Sequence, residues 1–405
     1  MAYQVLYRKY RPRDFSEVVG QSHIVAVLER QVAAGHTAHA YLFSGPRGVG
    51  KTTVARLIAK AVNCANAPGA SGKSDAGALN TRQSPLSAPN RLPGQRGLLS
   101  PKGTVASGDG GLPCNTCDSC LAFNTGSALN LIEIDAASNR GIDEIRELRE
   151  AVRFTPAGGG TKVYVIDEVH QLTKDAFNAL LKTLEEPPAH AAFILATTEL
   201  DKVPPTIVSR TQHFEFRRPR ADVLRDRLLA VAAKEKVALA ADAAEAIAFA
   251  AEGSVRDAES MLGKIMAVED NAITRTEVEE ILGIPKQEAL GALLAYIGRG
   301  ELAPAIELVN RLYHDGYEME YLAKLIVSFF RDALLMKTAP DATAAAEAPG
   351  ASDAIRSLGL YSADALADAI VAFIEAIPAV RRSPIPQLPL ELALVKIVSS
   401  HGAKT

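Results

Sequence analysis

The run Gly45-Pro46-Arg47-Gly48-Val49-Gly50-Lys51-Thr52 satisfies G-x-x-x-x-G-K-[ST] at every fixed position. In such a loop the glycines let the backbone fold tightly enough for its N–H groups to face a β-phosphate. Lys51 would reach the β/γ oxygens, and the Thr52 hydroxyl would ligate Mg²⁺. Working outward, Ala40-Tyr41-Leu42-Phe43 reads as a buried strand and Thr53-Val54-Ala55-Arg56-Leu57-Ile58-Ala59 as a helix, the order such a loop requires. Further on, the apolar run Val163 to His170 ends in Asp167-Glu168. Asp167 would hold the metal's water shell and Glu168 would polarise the attacking water. An accidental turn is the weak alternative, because chance rarely supplies loop and flanks together.

Composition bounds the remaining readings. The chain has 405 residues, 48% apolar and 22% charged, with a net charge of −3. That length accommodates about two to four domains. Such a balance gives no global attraction to nucleic acid or anionic lipid, so DNA contact would need a local patch or an assembly. No apolar run approaches the roughly 18 to 20 residues that span a bilayer. Arg8, Lys9, Arg11 and Arg13 near the N-terminus are followed by no apolar stretch, so no ordinary secretion signal is expected and the expected compartment is the cytoplasm.

From Tyr41 to about Phe216, strand candidates at 40–43, 131–134, 162–166, 192–196 and 213–216 alternate with amphipathic helices, as a parallel α/β sheet demands. One helix opens at Gly141-Ile142-Asp143 with Ile142, Ile145, Leu148, Arg149 and Val152 on one stripe. Another, Lys174 to Glu185, is stopped by Pro187-Pro188. Beyond Arg218-Pro219 strand signals cease and the chain is helical and alanine-rich, with a softer break at Gly283-Ile284-Pro285. The expected domains are 1–218, 219–283 and 284–405. Residues 65–113 hold nine glycines, six prolines and no aromatic residue, and five basic residues (Lys73, Arg82, Arg91, Arg96, Lys102) against two acidic ones. Such a stretch buries too little apolar surface to offset chain entropy. It reads as a solvated insertion, with a nucleic-acid tether as the alternative; Thr338 to Asp353 reads likewise as poorly ordered.

The cysteines are Cys64, Cys114, Cys117 and Cys120, the last three spaced C-x2-C-x2-C. Two-residue gaps let sulfurs converge on one tetrahedral ion, and a cytosolic setting disfavours disulfides. The expectation is a structural Zn²⁺ with four thiolates and no open position.

Several motifs now fall in one order: Leu6-Tyr7-Arg8-Lys9-Tyr10-Arg11-Pro12, Phe15, Val18-Val19-Gly20-Gln21, the phosphate loop, the thiol cluster, Val165 to His170, Leu180 to Pro188, Leu195-Ala196-Thr197-Thr198, and Ser209-Arg210. This closely resembles the gamma/tau subunits of bacterial DNA polymerase III, the ATPases of the AAA+ clamp loader. The resemblance implies an AAA+ P-loop domain with an inserted zinc module (64–120), a small helical lid and an all-α collar that oligomerises. It implies ATP held by Gly45 through Thr53 with Val18 and Val19 at the adenine, Thr198 as the first sensor, and Arg210 acting in trans on a neighbour's ATP. Gly253-Ser254-Val255-Arg256-Asp257 matches the second sensor, with Arg256 on the phosphates; a surface ion pair of Arg256 with Asp257 or Glu252 is the plainer alternative. Implied partners are the delta and delta-prime subunits, further gamma/tau copies, the β sliding clamp and primer-template DNA, and, through a longer form, the polymerase core and the replicative helicase.

Two departures stand out. Thr211 replaces the family's usual cysteine, and 49 residues separate Cys64 from Cys114 where the family has a far shorter gap. Lengthening a loop costs only about 0.6 kcal/mol per doubling, so the module is expected to survive. For DNA, the candidates are Ser138, Asn139 and Arg140 at a helix start, where free N–H groups favour phosphate; helix capping by Ser138 or Asn139 is the alternative. Rival functions are another AAA+ motor of the branch-migration or remodelling kind, and a replisome scaffold with a vestigial nucleotide site. Intact Lys51, Thr52, Asp167 and Glu168 weigh against the scaffold. No convincing set of polymerase metal carboxylates is present, so nucleotidyl transfer is expected of another subunit, even where the DNA polymerase label extends to this one.

Overall fold

The computed structural model describes residues 4–67, 113–156, 159–268, 272–339, 358 and 361–401. The readings placed on Lys73, Arg82, Arg91, Arg96 and Lys102, and on 340–353, therefore lie outside the described residues. By contact the chain divides into two compact units, Met1–Leu224 with Gly253–Asp257, and Arg225–Glu252 with Ala258–Thr405.

The first unit is built on five parallel strands, β1 (Ala40–Ser44), β2 (Leu131–Asp135), β3 (Lys162–Asp167), β4 (Ala191–Thr197) and β5 (Gln212–Glu215), ordered β2-β3-β4-β1-β5. Strand side chains alternate between faces, and both faces here are apolar. Tyr41, Phe43, Val163, Val165, Ile194 and Ala196 pack with the helices Ser22–Ala33 and Lys51–Val62. Ala40, Leu42, Tyr164, Ile166, Phe193 and Leu195 pack with Ile142–Val152 and Lys174–Glu185. Covering on both sides is why the central strands read as continuous apolar runs. The Lys174–Glu185 helix starts where the Thr173 hydroxyl accepts the Ala176 N–H at 3.3 Å. It ends one residue before Glu186-Pro187.

The second unit contains a two-strand parallel pair, β6 (Ala238–Leu239) and β7 (Ala272–Ile273), so strands do not cease entirely after Pro219. Two residues each are too short to show an alternating pattern. Its core is formed by the helices Gln287–Gly298, Leu302–His314, Met319–Thr338, Ala363–Arg382 and Leu388–His401. Helix Arg275–Leu282 opens with a Thr274/Glu277 capping box and closes on Gly283 at φ 65°. The residues expected as two helical domains lie, apart from 219–224 and Gly253–Asp257, in this unit, where Lys324 Nζ sits 2.5 Å from a Glu252 oxygen. No helix among the described residues is long and apolar enough to cross a membrane.

Candidate functional site

β1 runs into the phosphate loop at Gly45, where φ is 136° and an added Cβ would lie 2.3 Å from the Phe216 carbonyl oxygen. At Gly48 (φ 77°) a Cβ would lie 2.0 Å from Ser254 Oγ, while Gly50 (φ 105°) faces open space and is required by its backbone angle alone. Gly50 caps the Lys51–Val62 helix with no side-chain bond, so the helix's first N–H groups receive nothing from a cap side chain. Arg47 is exposed, Val49 is buried, and Thr53 and Val18 are half-buried, Val18 against the sheet core beside Val19. Lys51 is buried and donates to the carbonyls of Gly45 (2.6 Å) and Pro46 (2.8 Å). Burial lowers its pKa, against the opposing pull of Glu168 and Asp167.

β4 lies between β1 and β3, and the ends of all three converge beside this loop. Thr52 Oγ1 donates to Asp167 Oδ2 at 3.0 Å. Glu168 adopts φ 49°, a left-handed conformation uncommon outside glycine, and its N–H donates to Asp167 Oδ1 at 3.0 Å. Its carboxylate accepts from Thr198 Oγ1 at 2.9 Å. Lys51, Thr52, Asp167, Glu168 and Thr198 are thus brought together. Arg256 belongs to the segment that meets Gly48: its N–H faces the Gly48 carbonyl at 3.4 Å, and its guanidinium stacks 4.8 Å from the Tyr7 ring.

Arg210 is elsewhere. β1 and β5 are parallel with Tyr41 opposite Gln212, so Arg210 lies where those strands begin and the loop lies where β1 ends, about 13 Å further along. Its guanidinium pairs with Glu185 at 2.7 Å. Ser138 and Asn139 occupy the turn after β2 and do not cap the helix, contrary to the capping alternative: the N-cap is Gly141. Asp135 takes their polar groups instead, Oδ2 accepting from Ser138 Oγ at 3.3 Å and its carbonyl from Asn139 Nδ2 at 3.0 Å, which turns the chain before the helix begins.

Comparison with known proteins matches this chain along its length. A family model described as "DNA polymerase III, delta subunit" covers residues 20–82 and 103–220, and one described as "DNA polymerase III subunits gamma and tau domain III" covers 273–405. The DNA polymerase III subunit gamma of Buchnera aphidicola is 35% identical over 84% of this chain and 82% of its own length. The chain belongs to the gamma/tau family of DNA polymerase III subunits. Subunit tau of Bacillus subtilis is 38% identical over 99% of the chain, and that of Escherichia coli 37% identical over 84%. The chain spans 64% and 47% of those two relatives. Among solved structures, the Thermotoga maritima RuvB Holliday junction branch migration motor aligns at a TM-score of 0.45 and 18% identity, covering 76% of this chain and 86% of that one.

In this gamma/tau chain the sulfurs of Cys64, Cys114, Cys117 and Cys120 all lie within 4.8 Å of one another, with Cys114 and Cys120 3.9 Å apart. Tetrahedral zinc–thiolate bonds of about 2.3 Å put sulfurs about 3.8 Å apart, so the donor set fits zinc. Cys64 follows the Lys51–Val62 helix, and Cys117 caps the helix Asp118–Thr125, its sulfur accepting the Cys120 N–H at 3.5 Å. Burial pushes the Cys120 thiol up. Burial also raises Cys114, but hydrogen bonds from Thr116, Cys117 and Cys64 bring it down to about 5. Lys60, itself buried, donates to the Arg13 carbonyl (3.0 Å), Asn124 Oδ1 (2.5 Å) and Asn115 Oδ1, tying the module to the loop's helix.

The motif reading gave no part to His170. Its buried ring places Nδ1 3.0 Å from Thr197 Oγ1 and 3.5 Å from Glu168 Oε2, and Nε2 3.1 Å from Glu199 Oε1. The available signal was the pair of polar strand exits, Asp167 to His170 and Thr197 to Glu199, on neighbouring parallel strands.

Proposed function

We propose that this chain is an ATPase subunit of the bacterial replicative clamp loader, using ATP binding and hydrolysis to open the β sliding clamp and load it onto primer-template DNA in the cytoplasm. The single observation that carries the reading is the Thr52 hydroxyl 3.0 Å from the Asp167 carboxylate, with Glu168 and Thr198 beside them and Lys51 in the loop. Thr52 and Asp167 would hold Mg²⁺, which neutralises charge across the β- and γ-phosphates when bound. Lys51 would exchange its loop carbonyls for phosphate oxygens. Glu168 would orient and polarise the attacking water, and Thr198 would bond either that water or the γ-phosphate. The Arg256 segment, seated on Gly48, would bring a cation to the phosphates, and Val18 and Val19 would line the adenine.

Arg210, at the opposite end of the strands from its own loop, suits a finger offered to a neighbouring subunit, an effect worth about 10³ to 10⁵ in rate elsewhere. ATP then links one subunit's loop to the next subunit's Arg210, and hydrolysis breaks that link. The neighbours would be delta, delta-prime and further gamma/tau copies, with 219–283 as lid and 284–405 as collar. Support for the collar comes from Leu388, Leu392 and Val395, exposed on one stripe of the last helix. A structural Zn²⁺ held by the four cysteines would fix the module, and Ser138, Asn139 and Arg140 would meet the DNA backbone. A longer form would reach the polymerase core and the replicative helicase.

The test is Arg210→Ala in the assembled complex. ATP binding is expected near normal and DNA-stimulated hydrolysis lost; undiminished turnover overturns the finger role. Failure of the wild-type chain, mixed with its partner subunits, to retain labelled ATP overturns the function itself.

A further inference from the structure

A second cationic cavity in the first unit is lined by none of the phosphate-loop residues. It has a volume of about 560 Å³ and is bounded by the N-terminal segment, the outer face of the Lys51–Val62 helix and the end of the Asp118–Thr125 helix. Arg8, Lys9, Arg11, Arg13, Arg56 and Lys60 line it, and among the described residues no carboxylate does. Six cations around one cavity contrast with the chain's net charge of −3.

Several of the six are engaged: Arg56 is held by Glu133, Nε to Oε1 at 2.5 Å, Lys60 by three carbonyl oxygens, and the Lys9 ammonium lies 5.5 Å from the Tyr10 ring centroid. Arg8 stacks on the Tyr7 ring. Arg11 differs. Its guanidinium is half-buried and makes no hydrogen bond or ion pair among the described residues. Burial lowers its pKa, and Arg56, Arg8 and Arg256 push the same way while Glu133 only partly offsets them. Holding the half-buried Arg11 among other cations without an anion costs free energy through lost hydration and mutual repulsion. A multiply charged ligand would relieve both.

We infer that this cavity is a second phosphate site, taking an oligophosphate group by the guanidinium forks of Arg8, Arg11 and Arg13. Guanidinium geometry suits bidentate phosphate contacts. The volume lies within the usual range for ligand sites. Among the described residues Phe123 is the one aromatic side chain in the lining, which makes no stacking platform for successive bases; recognition is by charge. The phosphates can come from a nucleic-acid backbone or from a free oligophosphate. The site does not depend on hydrolysis at the loop.

The experiment uses the whole chain saturated with a fluorescent ADP analogue and Mg²⁺, so that the loop is filled and its release is visible. Sodium tripolyphosphate is titrated by calorimetry, and labelled oligothymidylate by anisotropy, alone and in competition. One equivalent of tripolyphosphate is expected to bind without displacing the analogue. Arg11→Gln and the exposed Arg13→Gln are each expected to weaken it about tenfold, with Arg331→Gln in the second unit as an unaffected control. Mutual competition assigns the backbone as a ligand, with each variant flattening the salt dependence by about 0.7 in log–log slope. Tripolyphosphate binding that oligothymidylate does not disturb assigns a free oligophosphate, and supports the site equally. Absence of tripolyphosphate binding to the chain saturated with the ADP analogue, or equal binding by Arg13→Gln and wild type, overturns it. If the ADP analogue itself fails to bind, the loop reading fails while the tripolyphosphate arm still reports on this cavity.

Discussion

Thr198 donates its hydroxyl to Glu168 at 2.9 Å, so the carboxylate proposed to polarise water is held by the residue proposed to sense the γ-phosphate. The hydroxyl has one proton, so donating it to a γ-phosphate oxygen means releasing Glu168, whereas a water can still be held through the hydroxyl's lone pairs. Glu168→Gln keeps the hydrogen bond but not the basicity. ATP retention is expected close to wild type, with turnover lower by about 10² to 10⁴, the range for loss of a positioned general base. Filter retention of labelled ATP and phosphate release measure the two separately. Equal loss of both would mean that Glu168 serves binding.

The three loop glycines differ in why they are glycine, and their alanine variants separate accordingly. Gly50→Ala meets open space and should cost only the left-handed backbone penalty, about 1–2 kcal/mol. Gly45→Ala adds a clash with the backbone carbonyl of Phe216, which cannot rotate away, so it is expected to be the most destabilising of the three in urea denaturation. Gly48→Ala clashes with a side chain, Ser254 Oγ, and a second change, Ser254→Ala, should recover part of its loss. No recovery would show that Ser254 is not what excludes a Cβ there.

The three central strands were legible because buried parallel strands carry apolar runs, whereas the edge strands β2 and β5 mix polar with apolar residues; each of the five observed strands overlaps its expected segment to within about a residue. The Ile142–Val152 and Lys174–Glu185 helices were legible from their stripes and stops. What escaped was carried by side chain to backbone contacts between distant segments. Gln21 is fully buried, donating to the Arg217 carbonyl at 2.6 Å and accepting its N–H at 3.2 Å. Nothing local marks that amide as a clamp between Val19-Gly20 and the exit of β5. His170 escaped for a like reason: its partners Thr197 and Glu199 come from a strand whose adjacency is a property of the sheet order, not of spacing along the chain.

Arg227 and Glu259 form an ion pair at 2.9 Å with side chains 13% and 4% exposed. Breaking such a pair leaves a buried charge, so Arg227→Met should cost about 3–5 kcal/mol at neutral pH, and adding Glu259→Leu should return most of it. Burial already raises the Glu259 pKa, with Arg227 opposing; without the arginine the carboxyl rises further. A carboxyl whose folded pKa lies above its unfolded value favours the fold below the unfolded value, and that contribution is lost as pH rises through the folded pKa. The penalty of Arg227→Met should therefore shrink towards pH 4 and grow as pH rises towards the raised folded pKa of Glu259. A pH-independent penalty would point to lost packing by the arginine stem.

The four sulfurs make the sharpest statement about metal, because one of them, Cys64, is separated from the next in sequence by 49 residues yet lies within 4.8 Å in space. Cys64→Ser should lose zinc as completely as Cys117→Ser, measured as metal equivalents in folded, reduced protein; a full equivalent retained in Cys64→Ser would remove it from the ligand set. In metal-free protein the first thiolate should appear near pH 5, because hydrogen bonds hold Cys114 at about 5 against an ordinary 9.0. With the folded pKa depressed, the stabilisation is present above the unfolded value and fades as pH falls through about 5. Zinc deepens this dependence, since it binds only thiolates and releases their protons. Chelation should lower the melting temperature at pH 7 and have little effect near pH 4, where ligands are protonated in either case. Lys60→Met should lower it too, with zinc retained, because the lysine holds the module to the phosphate-loop helix through Arg13, Asn115 and Asn124 and not through the sulfurs. Zinc lost from Lys60→Met would instead mean that the cluster needs its anchorage to assemble.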